Sequence, residues 1–417
     1  MRLQTLFTKT RRENPADEQS KNAILLERAG YVHKNLAGVY SFLPLGNIVL
    51  QNIVSIIRKE MVGLGAQEVS LSALQDKEVW KKTDRWDDAK VDNWFKTTFK
   101  SGGETGLGIT HEEPLTNLMR DHISSYRDLP RYVFQFQIKF RNEARAKSGI
   151  MRGKEFLMKD LYSFSKTVEE HDAFYAQVRA AYIRIFDAVG LGDVTYPTFA
   201  SGGIFSKFSE EFQTITEAGE DTIYIDTKKK VAVNKEVYTD EVLSELGLSK
   251  DTLKEIKAVE VGNIFNLGTK FSDPLELTYT DETGERKSVV MGSYGIGPGR
   301  LMGTIVEVFS DDKGIVWPSA VAPARVHIAQ LGNSEEVQAT ALKTYTELQS
   351  SGVTAILDDR DLRPGEKLSD AELMGMPHIL IISEKSLKAG GIEYRNRKTG
   401  ETQIIGTDIS AISDICV

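Results

Sequence analysis

Residues 132–141 alternate strictly. Tyr132, Phe134, Phe136, Ile138 and Phe140 fall between Val133, Gln135, Gln137, Lys139 and Arg141. Successive side chains of a strand point to opposite faces, so this period of two predicts a half-buried strand. A second strand-like run carries Phe156, Met158, Tyr162 and Phe164, and the two read as an antiparallel hairpin with a long loop. That loop holds Arg145, Lys147, Arg152 and Lys154. Two readings are open: a solvated hairpin tip, or cations held on a rigid support to bind phosphates through charge-assisted hydrogen bonds.

A chain of 417 residues has room for two or three domains and a sizeable core. Its 41% hydrophobic and 27% charged residues describe a soluble globular protein. No apolar run approaches a membrane span, and the basic N-terminus lacks the apolar core of a signal peptide, so the expected location is cytoplasmic. The single cysteine, Cys416, allows neither a disulfide framework nor a cysteine-rich site, and no structural zinc is expected. A net charge of −8 argues against general coating of nucleic acid while leaving room for local basic patches.

From Pro44 onward, Ile48, Val49, Ile53, Ile56, Ile57 and Met61 recur at helical spacing until Gly63 and Gly65, which predicts a long helix followed by a strand. A second amphipathic helix is predicted over 169–189, from Phe174, Val178, Ala181, Ile185 and Phe186. With strands dominating elsewhere, residues 1–320 read as an α+β domain on a mainly antiparallel sheet. Prolines and alanines in "VWPSAVAPARVHIAQL" mark a boundary. Beyond it, short apolar strands at 326–329, 353–357 and 378–382 alternate with helices, which predicts a C-terminal α/β domain over 324–417. The charged stretch 217–257, with a helix-turn-helix around Gly247, reads as a small insertion in the first domain.

Two further segments can carry chemistry. In "GITHEEPLTNLMRDH", Thr110, Glu112 and Glu113 open a helical pattern, and a capping box from Thr110 to Glu113 is the plain alternative to a binding role. In "MGSYGIGPGR", glycines let backbone approach a ligand closely, and the helix that follows favours an anion at its start. The spacing is superficially that of a dinucleotide loop, but the βαβ context with an acidic residue downstream is missing, which argues against a dehydrogenase.

At this point the chain resembles a known family. "FRNE", the basic loop and "RGKEF" look like motif 2 of class II aminoacyl-tRNA synthetases, and "GIGPGR" looks like motif 3. "THEE", "EFLMKDLYSF", "GEDTIY" and "VEVGNIFNLGTKFS" are similar to prolyl-tRNA synthetases of the bacterial type. "LDDRDLRPGEKLSDAELMGMPHILII" is similar to that family's anticodon-binding domain. The resemblance runs in family order over nearly the whole chain, apart from 217–257, which stands where many members carry a large editing domain. The departures are Ser72 where the family usually has proline, Asn263 where it commonly has histidine, and Ser293 where it commonly has cysteine.

The resemblance implies ATP-dependent attachment of L-proline to its tRNA through a prolyl-adenylate, by a homodimer using ATP with Mg²⁺. Arg141 would bridge the substrate carboxylate and the α-phosphate, and Arg152 and Arg300 would clamp the outer phosphates. Glu143 would meet the adenine amino group and Phe156 would stack on the base. Glu260 and Asn263 would complete the nucleotide region, while Thr110, Glu112, Ser293, Gly295 and Gly297 would complete the proline region with Arg141. Lys367, Arg395 and Arg397 are the expected anticodon cations. No metal site formed by protein groups alone is expected. Taken singly, the residues leave plainer roles open: a surface pair for Arg141 and Glu143, a helix cap for Arg300, core packing for Phe156. Two other functions compete, a synthetase-derived regulatory protein that binds tRNA without charging it and a free-standing enzyme that loads an amino acid onto a carrier protein. Retention of the three arginines argues against the first, and the C-terminal domain against the second.

Overall fold

The computed structural model describes residues 1–144, 148–201, 208–408, 410 and 412. Arg145, Lys147 and Cys416 lie outside the described residues. Contacts divide the chain into two compact units, one of residues 36–39 and 54–304, the other of residues 1–35, 40–53 and 305–417. This division differs from the expected boundary at 320–324, because the N-terminal residues belong with the C-terminal ones. The reason is long-range backbone pairing that no local pattern announces: Leu3 N donates to Leu357 O, and Leu357 N to Met1 O, both at 2.9 Å.

The first unit is built on one nine-stranded sheet. In chain order its strands are β1 (Gln67–Glu68), β2 (Arg131–Phe140), β3 (Glu155–Ser165), β4 (Thr195–Ser201), β5 (Phe208–Ile215), β6 (Asp221–Asp226), β7 (Val231–Asn234), β8 (Lys254–Gly268) and β9 (Val290–Ile296). They lie in the order β5-β4-β7-β6-β8-β9-β3-β2-β1. Pairing is antiparallel except for β1–β2 and β4–β7. The predicted hairpin is β2–β3, paired from Arg131↔Phe164 to Phe140↔Glu155. The strand expected after the first long helix shrinks to the two residues of β1.

Strand β8 pairs with both β6 and β5, so β8, β5, β4, β7 and β6 close into a ring around Tyr196, Ile223, Ile225, Ala232 and Ala258. The charged stretch 217–257 supplies two strands of this ring, β6 and β7, so it is part of the sheet and no appendage. A short helix, Asp240–Glu245, capped by the Thr239 side chain, and a 3-10 turn follow, with Gly247 between them at φ +61.

The two predicted long helices are α1 (Pro44–Gly63) and α3 (Val168–Ala188), and between them lies the short α2 (Glu112–Met119). In α1, Val49, Ile53, Ile57 and Met61 are fully buried at four-residue spacing. Helix α3 starts where the Thr167 hydroxyl accepts from Glu170 N, and its acidic first turn suits the helix dipole. It buries Phe174, Val178, Ala181, Tyr182, Ile185 and Phe186, and Phe174 stacks on Tyr132 of β2 with centroids 3.6 Å apart. Each of the larger of these side chains contributes about 1.5–3 kcal/mol on burial, so α3 holds the hairpin to a fixed backing.

The second unit contains a five-stranded sheet of β10 (Val326–Leu331), β11 (Ala355–Asp358), β12 (His378–Ser383), β13 (Ile392–Asn396) and β14 (Thr402–Ile405). The first three run parallel, as the predicted βαβ alternation requires, and the last two return antiparallel. After α4 (Pro298–Val308), the helices between these strands are α5 (Glu335–Ser350) and α6 (Pro364–Met374). Val326, Ile328, Leu357 and Leu380 meet Val337, Ala341 and Leu348 of α5 in its core.

The three expected anticodon cations are corrected here. Lys367 is only 2% exposed, and its ammonium donates to Gln330 O at 2.7 Å and Asp358 O at 3.3 Å. Arg397 is buried and forks onto Asp311 at 2.6 and 2.7 Å. Arg395 is paired with Glu372 and Glu393. Cation type alone does not separate a side chain offered to solvent from one that ties strands and turns together. Among the described residues no helix is long and apolar enough to cross a membrane.

Candidate active site

Register brings the site together. Directly paired residues of antiparallel strands share a face, and the pairs Gln135↔Asp160, Lys139↔Phe156, Tyr162↔Ser293, Asp160↔Gly295 and Gly295↔Asn263 put residues of β2, β3, β9 and β8 on one side of the sheet. On this face opens a cleft lined by Arg141, Glu143, Arg152, Phe156, Glu260, Asn263, Gly295, Gly297 and Arg300. Every residue expected to bind the nucleotide therefore borders a single cavity, and two of the glycines assigned to the proline region join them.

Arg141 follows directly on β2. Its guanidinium lies 5.4 Å from the centre of the Phe156 ring and makes only long contacts, 3.4 and 3.5 Å, to Ile109 O. Burial, with Arg300 nearby, pulls this guanidinium below its ordinary value, the mark of a cation short of negative charge. Arg300, in the first turn of α4, donates to the backbone and carboxylate of Glu260 at 3.0 and 2.9 Å and to Met151 O at 3.0 Å. It braces the cleft wall and does not cap a helix. Arg152 pairs with Glu220 and, at 3.5 Å, with Glu143. Asn263 donates to Glu260 at 2.7 Å, and a Cβ on Gly295 would stand 2.9 Å from the Asn263 side-chain oxygen, so a side chain there would crowd the cleft floor.

Next to the cleft, Glu112 opens α2. It is 1% exposed, and its two carboxylate oxygens accept from Thr110 Oγ1 at 2.6 Å and Ser293 Oγ at 3.0 Å. The capping box is not formed: Thr110 turns to Glu112, and Glu113 points elsewhere, accepting from Thr83 Oγ1 and Arg85 at 2.9 Å. Burial pushes the Glu113 carboxyl up to about 7 despite Arg85.

Sequence reasoning missed the layer beneath this turn. Lys139, fully buried in β2, sits 2.6 Å from His111 Nδ1 and 2.9 Å from Asp160, which also accepts from Gln135 and Tyr162. The other His111 nitrogen contacts Ser72 O at 3.1 Å, and the His111 backbone amide donates to Tyr162 Oη. Burial, then the Lys139 charge, lowers His111 to about 4, so the imidazole is neutral; Nδ1 accepts from the ammonium and Nε2–H donates to Ser72. Burial alone would raise Asp160, yet the Lys139 ammonium and the hydrogen bonds from Gln135 and Lys139 hold its carboxyl below the usual value. This network fixes the 110–112 turn. The only sequence signal for it was a lysine and an aspartate inside strands.

A second missed group lies near Glu260 on β5 and β6. Burial, with Glu260 nearby, pushes Glu211 up to about 8 and raises Asp221 as well.

The tRNA synthetase class II core domain (G, H, P, S and T) model matches residues 95–309, and an anticodon binding domain model matches 325–412. The chain is 36% identical over 424 residues to the proline--tRNA ligase of Rhizorhabdus wittichii, covering 96% of this chain and 97% of that one. The chain belongs to the proline--tRNA ligase family. A family member from Parvibaculum lavamentivorans is 37% identical over 429 residues, with 97% of each chain covered. The fold is shared with the prolyl-tRNA synthetase of Cryptosporidium parvum solved with L-proline and AMP, at a TM-score of 0.76 and 18% identity over 95% of this chain and 74% of that one.

Proposed function

We infer that the chain attaches L-proline to its tRNA at the expense of ATP, through a prolyl-adenylate. The observation that carries this reading is the single cleft bordered by Arg141, Glu143, Arg152, Phe156, Asn263 and Arg300, with the buried Glu112 carboxylate adjoining it. Amino-acid activation needs a carboxylate brought in line with the α-phosphorus, and charge growing on that phosphate neutralised by fixed donors. Arg141, whose donors are only loosely engaged, bridges the two anions. Arg152 and Arg300 take the outer phosphates. Phe156 stacks on the base, and Glu143 receives its amino group. Glu112, steadied by Thr110 and Ser293, faces the secondary ammonium of proline, and Gly295 and Gly297 leave room for the two substrates. No side-chain nucleophile is required.

Among the described residues no group of three His, Cys, Asp or Glu is arranged to hold a metal, yet the raised carboxyls of Glu211 and Asp221 beside Glu260 suit a dication. A Mg²⁺ bound mainly by the nucleotide would find oxygen ligands in Glu260 and Glu211, and would supply charge neutralisation on the phosphates.

In this reading the protein is a cytoplasmic homodimer of the bacterial type. The exposed Val62 and Leu74 are apolar surface available to a second copy. In this reading no large editing domain stands at 217–257, where the chain continues its own sheet. The test is proline-dependent ATP–pyrophosphate exchange followed by charging of proline tRNA. Exchange and charging support the reading. Binding of tRNA without exchange leaves the regulatory alternative, and exchange without charging leaves the carrier-loading one.

A further inference from the structure

Glu113 stands beside Glu112 in the first turn of α2, and the proposed chemistry leaves it without a role. It is fully buried, and its Oε1 accepts from Thr83 Oγ1 and from Arg85 Nη1, each at 2.9 Å. Its Oε2 is buried too and has no hydrogen-bond partner among the described residues. The same Arg85 Nη1 stands 3.8 Å from Glu112 Oε2, within range of an ion pair but beyond a hydrogen bond. Arg85 is itself buried, and its guanidinium packs on two rings, 5.1 Å from the centre of Trp80 and 5.3 Å from that of Phe271. One held cation therefore faces two buried acids. The acid that it grips less closely is the one that meets the substrate ammonium in the proposed function.

A pair that served only to tie α2 to the turn at 83–85 would gain most from a guanidinium forked onto both Glu113 oxygens. That fork is not formed, and a buried acceptor without a donor carries a cost that calls for a reason. The reason lies with Glu112. Attraction between opposite charges is strong where water is excluded, so a guanidinium this close is a rival for the oxygens that a substrate cation needs. We propose that Glu113 is a positioning residue for proline recognition: it holds Arg85 back from Glu112, so that the Glu112 carboxylate stays open to the secondary ammonium of the substrate. The proposal rests on the reading of the chain as a proline-activating enzyme. With the Glu113 charge removed, Glu112 is the carboxylate left to Arg85, and the guanidinium closes on it and competes with the substrate. With Arg85 removed as well, Glu112 is open again.

The experiment compares Glu113→Gln, Glu113→Asp and the double variant Glu113→Gln with Arg85→Met in the full chain, by proline-dependent ATP–pyrophosphate exchange and thermal denaturation. It is run at pH 8, above the value of about 7 to which burial raises Glu113, so that the carboxylate of the unmodified protein is ionised. Glu113→Gln is expected to raise the Michaelis constant for proline about tenfold or more, the size of one hydrogen bond to a charged group. The constant for ATP and the rate at saturating proline should stay close to normal. Aspartate keeps the charge and glutamine keeps the shape, so Glu113→Asp should disturb proline less than Glu113→Gln does; a role in packing alone gives the opposite order. The double variant should return most of the way to the unmodified value, because the competitor is gone. It is read against the unmodified protein as well, so the test stands even where the single glutamine variant is unstable. An unchanged constant for proline in Glu113→Gln overturns the proposal, as does aspartate worse than glutamine or a double variant with proline binding still impaired. Absence of exchange in the unmodified protein would instead sink the functional reading beneath it.

Discussion

Arg141 combines two properties: it is half-buried against Phe156, and its hydrogen bonds are long. An enclosed donor without a good acceptor is preorganised for an anion that arrives later. Arg141→Ala is therefore expected to cut pyrophosphate exchange by about a hundredfold or more while leaving the thermal midpoint nearly unchanged; near-normal exchange would refute the bridging role. Glu112→Gln tests the neighbouring site, since a carboxylate facing an ammonium acts on one substrate only. The Michaelis constant for proline should rise steeply and that for ATP should stay put, and equal changes in both would count against the assignment. Beneath them, Lys139→Met leaves Asp160 buried without its cation, which costs about 3–5 kcal/mol. Adding Asp160→Asn should recover much of that loss in thermal denaturation, and a double variant no better than the single would show that the pair is not coupled. Arg141, Glu143 and Arg300 were legible because they sit in recognisable short motifs. Lys139 was not, because alternation separates two faces of a strand without saying which face is covered. The polar face of β2 turned out to be the inner wall of the site.

At the scale of elements, the β2–β3 hairpin and the helix α3 were readable from periodicity, since each pattern is local. The ring was not. It depends on β8 being shared by β5 and β6, a register choice between segments far apart in the chain. That closure changes the meaning of 217–257. A segment that supplies β6 and β7 is part of the sheet, and the proposed function gives it no second hydrolytic site. A pocket that accepts proline discriminates weakly against alanine, because each missing methylene is worth only about 1–3 kcal/mol. The protein should thus activate alanine measurably and leave preformed alanyl-tRNA bearing the proline anticodon intact beyond its spontaneous rate of hydrolysis. Rapid deacylation by the purified protein, abolished by substitutions in 217–257 that leave proline charging intact, would reverse this assignment.

At the scale of the molecule, Lys367 and Arg397, expected from sequence at the anticodon, are held inside the fold, and Arg397 carries a pH signature. Arg397 grips Asp311 with two hydrogen bonds and holds its carboxyl at about 2. A carboxylate with a lowered value in the folded state contributes its stability above the ordinary value near 4, and loses it as pH falls toward 2. Arg397→Met should cost about 1 kcal/mol of stability at pH 6, after allowing for the solvent that screens the half-exposed Asp311, and so lower the thermal midpoint. The gap from the unmodified protein should narrow below about pH 4, and a gap constant from pH 6 to pH 3 would show that the bond is not responsible. The same unit joins the beginning of the chain to its end, with Arg12 and Glu366 paired across 354 positions. A ribosome adding about 5–20 residues per second needs roughly 18 to 70 seconds to travel that distance. The arm that carries Arg12 thus emerges long before the start of α6 that it meets, so a nascent chain cannot tie its two ends together there until synthesis is nearly over.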